Sequence, residues 1–77
     1  MFLRLLYGEM VYMVLQINGD KREFSGVSLA DLVEQLGMKG DRVAIELNLG
    51  IVPRDRWEST PLHDGDRLEI VHFVGGG

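Results

Sequence analysis

The sequence predicts an α+β domain in which a mixed sheet of four to five strands carries one main helix on one face. Three observations lead there. Stretches of alternating apolar and polar residues at 14–18, 43–47 and 67–74 have the period of strands. One stretch, 29–36, places Leu29, Leu32, Val33 and Leu36 at helical spacing. Between them stand Asn18-Gly19-Asp20, Asn48-Leu49-Gly50 and His63-Asp64-Gly65-Asp66, residues that favour tight turns. With 77 residues, 45% of them hydrophobic, the chain suffices for one core and not for two.

The elements follow in order. In the first strand Leu15 and Ile17 share a face, and Asn18-Gly19 turns the chain into a return strand that runs through Arg22 to Phe24. Ser28 occupies a helix N-cap position with Asp31 three residues on, an approximate capping box, and Gly37 is the natural stop. Asp31, Glu34 and Gln35 give this helix a polar side, so its single apolar stripe is expected against a sheet. Residues 43–47 alternate cleanly, and a second, shorter hairpin reaches Ile51 and Val52 before Pro53 ends the pairing. Residues 53–62 hold two prolines and several charges and read as an irregular or single-turn excursion that the indole of Trp57 pins to the core. Arg67 to Val74 is the longest expected strand. A right-handed crossover through the helix makes the first and last strands parallel neighbours at the centre. This order and spacing resemble the β-grasp, or ubiquitin-like, fold.

Composition narrows the function. The chain has no cysteine, which removes disulfides, thiolate metal sites and cysteine nucleophiles together and allows a reducing compartment. Twelve acidic residues against eight basic ones, a net charge of −4, argue against nucleic acid and for a partner with a basic surface. The apolar start, residues 1–12, raises the question of a signal or membrane segment. Arg4, Gly8 and Glu9 interrupt it, and about 20 apolar residues are needed to span a bilayer, so the expected location is the cytoplasm. Two readings of this extension stand. Met10 and Met13 are possible internal starts, which would make it an upstream-start artefact. Alternatively Phe2, Leu3, Leu5, Leu6 and Tyr7 cover a sheet edge or make an oligomer contact. The expected organisation is an extension at 1–12, a domain at 13–74 and a glycine tail at 75–77.

Enzyme chemistry finds little support. His63 and His72 lie on a turn and a strand without metal-ligand spacing, and no nucleophile elbow, phosphate loop or His-Glu-X-X-His motif occurs, so no catalytic or metal site is expected. The acids are spread over turns and the helix's outer side, as on a solvated face. What remains is the end, Gly75-Gly76-Gly77, which follows the strand without a break. Glycine accepts nearly all backbone angles, so such a segment can thread extended into a narrow cleft of another protein. A terminal carboxylate is a poor electrophile, but adenylation by ATP converts it to a mixed anhydride that a sulfur nucleophile attacks to give a thiocarboxylate. The plain alternative is a frayed end.

Ile51-Val52-Pro53-Arg54-Asp55-Arg56-Trp57, His63 to His72 and the terminal glycines together resemble the ThiS family of sulfur carriers in thiamine thiazole biosynthesis, over Met13 to Gly77. The resemblance implies that an E1-like adenylyltransferase, ThiF, adenylates Gly77 with ATP. A sulfurtransferase or cysteine desulfurase then supplies sulfur, and the thiazole synthase ThiG takes it. Gly76 and Gly77 inherit the roles of tail and attachment site, and Gly75 adds reach. No cofactor is expected to be bound by the chain itself. Leu49 departs from what its turn position favours. In the last strand, Leu68 and Ile70 have the parity of the core beneath the helix, while Val71 and Phe73 have the opposite parity. Val71 and Phe73, with Val74, are therefore the expected partner-docking residues, unless the extension or a bulge covers them. Two rivals stay open: the small subunit of molybdopterin synthase, with the same carrier chemistry, and a non-catalytic β-grasp interaction module with an inert tail.

Overall fold

A computed structural model describes residues 12–73. Five strands form one mixed sheet: β1 (Met13–Ile17), β2 (Asp20–Phe24), β3 (Val43–Leu47), β4 (Gly50–Ile51) and β5 (Arg67–His72), in the order β2-β1-β5-β3-β4. β1 and β5 are parallel neighbours, as the crossover argument requires, and every other pairing is antiparallel. Residues 1–11, all of the 1–12 extension but Tyr12, and Val74, Gly75, Gly76 and Gly77 lie outside the described residues. Where β5 was expected to reach Val74, it ends at His72.

Local chemistry explains each element. At the first hairpin Asn18 and Gly19 both have positive φ, 50° and 89°, which matches the right-handed twist of the flanking strands and suits these two residue types. The helix α1 (Leu29–Gln35) has the full capping box: the Ser28 hydroxyl accepts from the Asp31 N–H, and the Asp31 carboxylate accepts from the Ser28 N–H. That carboxylate also accepts from the Val27 N–H. These bonds to the Ser28 and Val27 backbone hold the Asp31 carboxyl below its ordinary pKa of 3.8. Gly37, at φ 72°, ends the helix as its position suggested. A single 3-10 turn at Gly40–Arg42, which the sequence pattern did not signal, leads into β3, and a second at Arg54–Arg56 opens the excursion after β4.

One face of the sheet and the apolar stripe of α1 enclose the core. Leu15, Ile17 and Phe24 from β1 and β2, Val43 and Ile45 from β3, and Leu68 and Ile70 from β5 meet Leu29, Leu32 and Val33 of the helix. Trp57 and Leu62 of the excursion complete it. The Trp57 indole N–H donates to the Val52 carbonyl at 3.0 Å, so burial of the ring leaves no orphaned donor. Among the described residues no buried side-chain nitrogen or oxygen lacks a partner.

Candidate functional site: the outer sheet face and the end of β5

The helix covers one face of the sheet, and among the described residues no element covers the other. Alternation along β5 turns Leu68 and Ile70 inward, so Val71 and Phe73 face outward, where they are 53% and 57% exposed. This is the placement the sequence suggested for both. The pairing brings more to them. Ala44 of β3 lies opposite Val71, Glu46 opposite Glu69, and Ile51 of β4 opposite Glu46, so these side chains share the outer face. Tyr12 and Val14 have the outward parity on the β1 side. Seven large hydrophobic residues stand exposed among the described residues: Tyr12, Val14, Val27, Leu49, Ile51, Val71 and Phe73. Val27 precedes the helix, and Leu49 sits with Glu46, Arg67 and Glu69 around a shallow hollow on the outer face. Among the described residues, exposed apolar surface is thus concentrated on the side of the sheet opposite the helix.

Leu49 and Ile51 belong to this surface although the sequence did not mark them as docking residues. A two-residue strand offers no alternation from which to read a face, and only the pairing with Glu46 assigns Ile51 to it. Leu49 was noted as an awkward turn residue, and it is one: its φ is 76° and it is 92% exposed.

The His63-Asp64-Gly65-Asp66 turn has a structural task. Asp64 Oδ1 accepts from the Val14 N–H at 2.7 Å, and Asp66 Oδ1 accepts from the Asn48 amide at 3.0 Å, while Asp66 Oδ2 accepts from the His63 N–H at 2.8 Å. Asn48 Oδ1 in turn accepts from the Arg67 N–H. The turn thereby ties the starts of β1 and β5 to the β3–β4 hairpin. His63 and His72 show no ligand arrangement, and no group of three or more His, Cys, Asp or Glu among the described residues could hold a metal ion. Nor is any helix there long and apolar enough to cross a membrane.

The end of β5 is secured from both sides as far as Ile70. Asn18 continues the parallel β1 ladder with its side chain: its Oδ1 accepts from the Ile70 N–H at 2.7 Å and its amide donates to the Ile70 carbonyl at 3.1 Å. On the other side the Phe73 N–H donates to the Arg42 carbonyl at 2.7 Å. The strand that precedes the glycines is therefore part of the rigid body almost to its last residue.

The family model described as ThiS family matches residues 15–77, a span that includes the glycines. The chain belongs to the ThiS family. A ThiS sulfur carrier protein from Bacillus subtilis is 36% identical over 66 residues, covering 83% of this chain and all of the relative. One from Thermus thermophilus is 37% identical over 65 residues, covering 79% and 95%. The crystal structure of a ThiS thiamine biosynthesis protein from Geobacter metallireducens superposes with a TM-score of 0.71 at 30% identity, covering 84% of this chain and all of that one. The sheet order and single helix described above are accordingly those of a ThiS β-grasp. A segment of a protein named thiazole synthase from Paramagnetospirillum magneticum is 46% identical over 66 residues, covering 84% of this chain. The chain spans about a fifth of that relative's length, 20%. The family match begins at Leu15, and residues 1–14 lie outside it.

Proposed function

We propose that the chain is a sulfur carrier whose Gly77 carboxyl is adenylated with ATP and converted to a thiocarboxylate, from which sulfur passes to the thiazole of thiamine. The observation that carries this reading is the ThiS family match running through the last glycine. The fold suits it mechanically. A carrier must hold its reacting end away from its own body yet present it at a fixed place, and β5, bonded through Ile70 on one side and Phe73 on the other, is a rigid element shortly before Gly75, Gly76 and Gly77 in the sequence. The chemistry is simple to balance. The carboxylate oxygen attacks the α-phosphorus of ATP and pyrophosphate leaves. The outer sulfur of a persulfide on a sulfurtransferase or cysteine desulfurase then displaces AMP to give an acyl disulfide, and a second thiol cleaves its S–S bond, leaving a disulfide on the donor and the thiocarboxylate on the chain. A chain free of cysteine has no thiol of its own to intercept the acyl adenylate.

On this reading the chain is a substrate modified by partners and performs no catalysis. Its partners are an adenylyltransferase of the ThiF kind and a thiazole synthase of the ThiG kind. Support for the second comes from the relative named thiazole synthase, in which a segment like this one is part of a longer polypeptide. The outer face, with Val71 and Phe73, and with Val74 next in sequence before the glycines, is the docking surface, and the acidic charge steers partners with basic patches toward it. A reducing compartment, the cytoplasm, fits both the thiocarboxylate and the lack of cysteine.

The test is intact mass. After incubation with the adenylyltransferase, ATP and a sulfur source, the chain gains the difference between sulfur and oxygen, and a chain lacking Gly77 does not. No gain beside an adenylyltransferase proved active on another carrier refutes the reading and leaves an interaction module.

A further inference from the structure

Sheet edges attract other strands, and this fold guards two of them. The β2 edge, Asp20 to Phe24, is exposed and charged over its first four residues, Asp20, Lys21, Arg22 and Glu23. The β4 edge is two residues long and runs into Pro53 after Val52. A third edge is less obvious. Along β5 the backbone groups of odd-numbered residues face β3, as the bonds at Arg67 and Phe73 show, and those of even-numbered residues face β1. The Asp66 and Leu68 carbonyls accept from the Gln16 and Asn18 N–H groups, and Ile70 is satisfied by the Asn18 side chain. Beyond that point β1 has turned away at Asn18-Gly19 into β2. The next pair facing that side belongs to His72, and among the described residues no strand lies beside it.

We propose that His72 is a strand-addition site: an extended segment of the enzyme that activates the tail pairs with the His72 N–H and C=O and continues the sheet there. This rests on the carrier reading. Three features favour an extended peptide segment as occupant. The other side of β5 is already fixed to β3 through Phe73, so the receiving edge is preformed. Val71 and Phe73, both exposed, flank His72 on the outer face and offer apolar contacts to the added strand's alternate side chains. The edge also continues directly into the tail, so pairing at His72 would aim the following residues as an extended chain, reducing the freedom their glycines must lose on entering a cleft.

Backbone hydrogen exchange on the full chain, alone and with the adenylyltransferase and ATP, tests this directly. In the free chain the His72 amide exchanges freely while those of Ile70 and Phe73 are protected; in the complex the His72 amide slows by roughly tenfold or more, as one backbone bond of about 1.4 kcal/mol implies. His72→Pro removes that N–H without touching a bond to β3. It keeps the melting temperature and weakens the enzyme complex by roughly the same factor. A His72 amide already protected in the free chain, still exchanging freely in the complex, or dispensable by the proline variant overturns the proposal. Adenylation of the wild-type chain, read by mass in the same samples, separates the two ideas. A chain that is adenylated while His72 stays open refutes the edge alone; a chain that neither binds nor is adenylated refutes the carrier reading beneath it.

Discussion

Asp31 shows how one side chain can set the entrance to the helix. Its carboxylate accepts the Ser28 and Val27 N–H groups, and those bonds exist in full only for the charged form. The folded carboxyl therefore titrates below its unfolded value, so the stability it contributes is complete above the ordinary carboxyl range and is lost as pH falls through the lowered folded value. Asp31→Asn should lower stability at neutral pH and flatten its decline on the acid side, which denaturant titrations from neutral to strongly acid pH will measure. Leu49 makes the opposite point. A branched aliphatic residue at φ 76° is strained by about 1–2 kcal/mol, and at 92% exposure it recovers little by packing within the chain. Leu49→Asn, a residue that accepts this conformation, should stabilise the domain by about 1 kcal/mol and raise its melting temperature. Unchanged melting would mean that the turn relaxes without difficulty.

At the scale of elements, the excursion between β4 and β5 depends on one ring. Trp57 is 5% exposed, packs with Leu62 in the core, and bonds through its indole N–H to Val52. Trp57→Ala should cost about 3–5 kcal/mol, a large part of what a domain of this size possesses, and a urea midpoint will show it. The hairpins, the capping box and the helix stop were legible in the sequence because each is local: Asn18-Gly19, Ser28 with Asp31, and Gly37 act on their immediate neighbours. Contacts between distant segments were not legible. That Asn18 would clamp Ile70, or that Asp64 and Asp66 would bind Val14 and Asn48, depends on which strands become neighbours, and the bonds of Asn18 span 52 residues. The shortened end of β5 and the 3-10 turn at Gly40–Arg42 have the same origin, since a strand lasts only as long as its partners do.

Over the described residues the sheet is asymmetric, with a helix on one side and exposed apolar groups gathered on the other. Parity placed Val71 and Phe73 on that face from the sequence alone, but its breadth, with Leu49 and Ile51, needed the sheet order. Phe73→Ser should leave the melting temperature within a degree or two, because the ring is 57% exposed, while weakening the adenylyltransferase complex severalfold. Unfolding of that variant, seen by circular dichroism, would show instead that Phe73 is covered within the chain. Sequence and structure contribute differently to the candidate site. Its glycines were found by composition and position, and the family match includes them; the surface that presents them emerged from the fold.

The position of β5 between β1 and β3 also bears on how the protein is made. Translation produces this central strand after the other four, and its contacts with β1 reach far back along the chain, as the pairing of Arg67 with Gln16 and of Leu68 with Ile17 illustrates. A nascent chain stopped before Arg67 holds two unjoined hairpins and a helix with no continuous sheet to lie on. The segment that completes the sheet is thus the one that leads into the glycines. Ribosomal products that end before Arg67 would lack the tail and the completed sheet together, so such stunted copies could not occupy the partner enzymes in place of working ones.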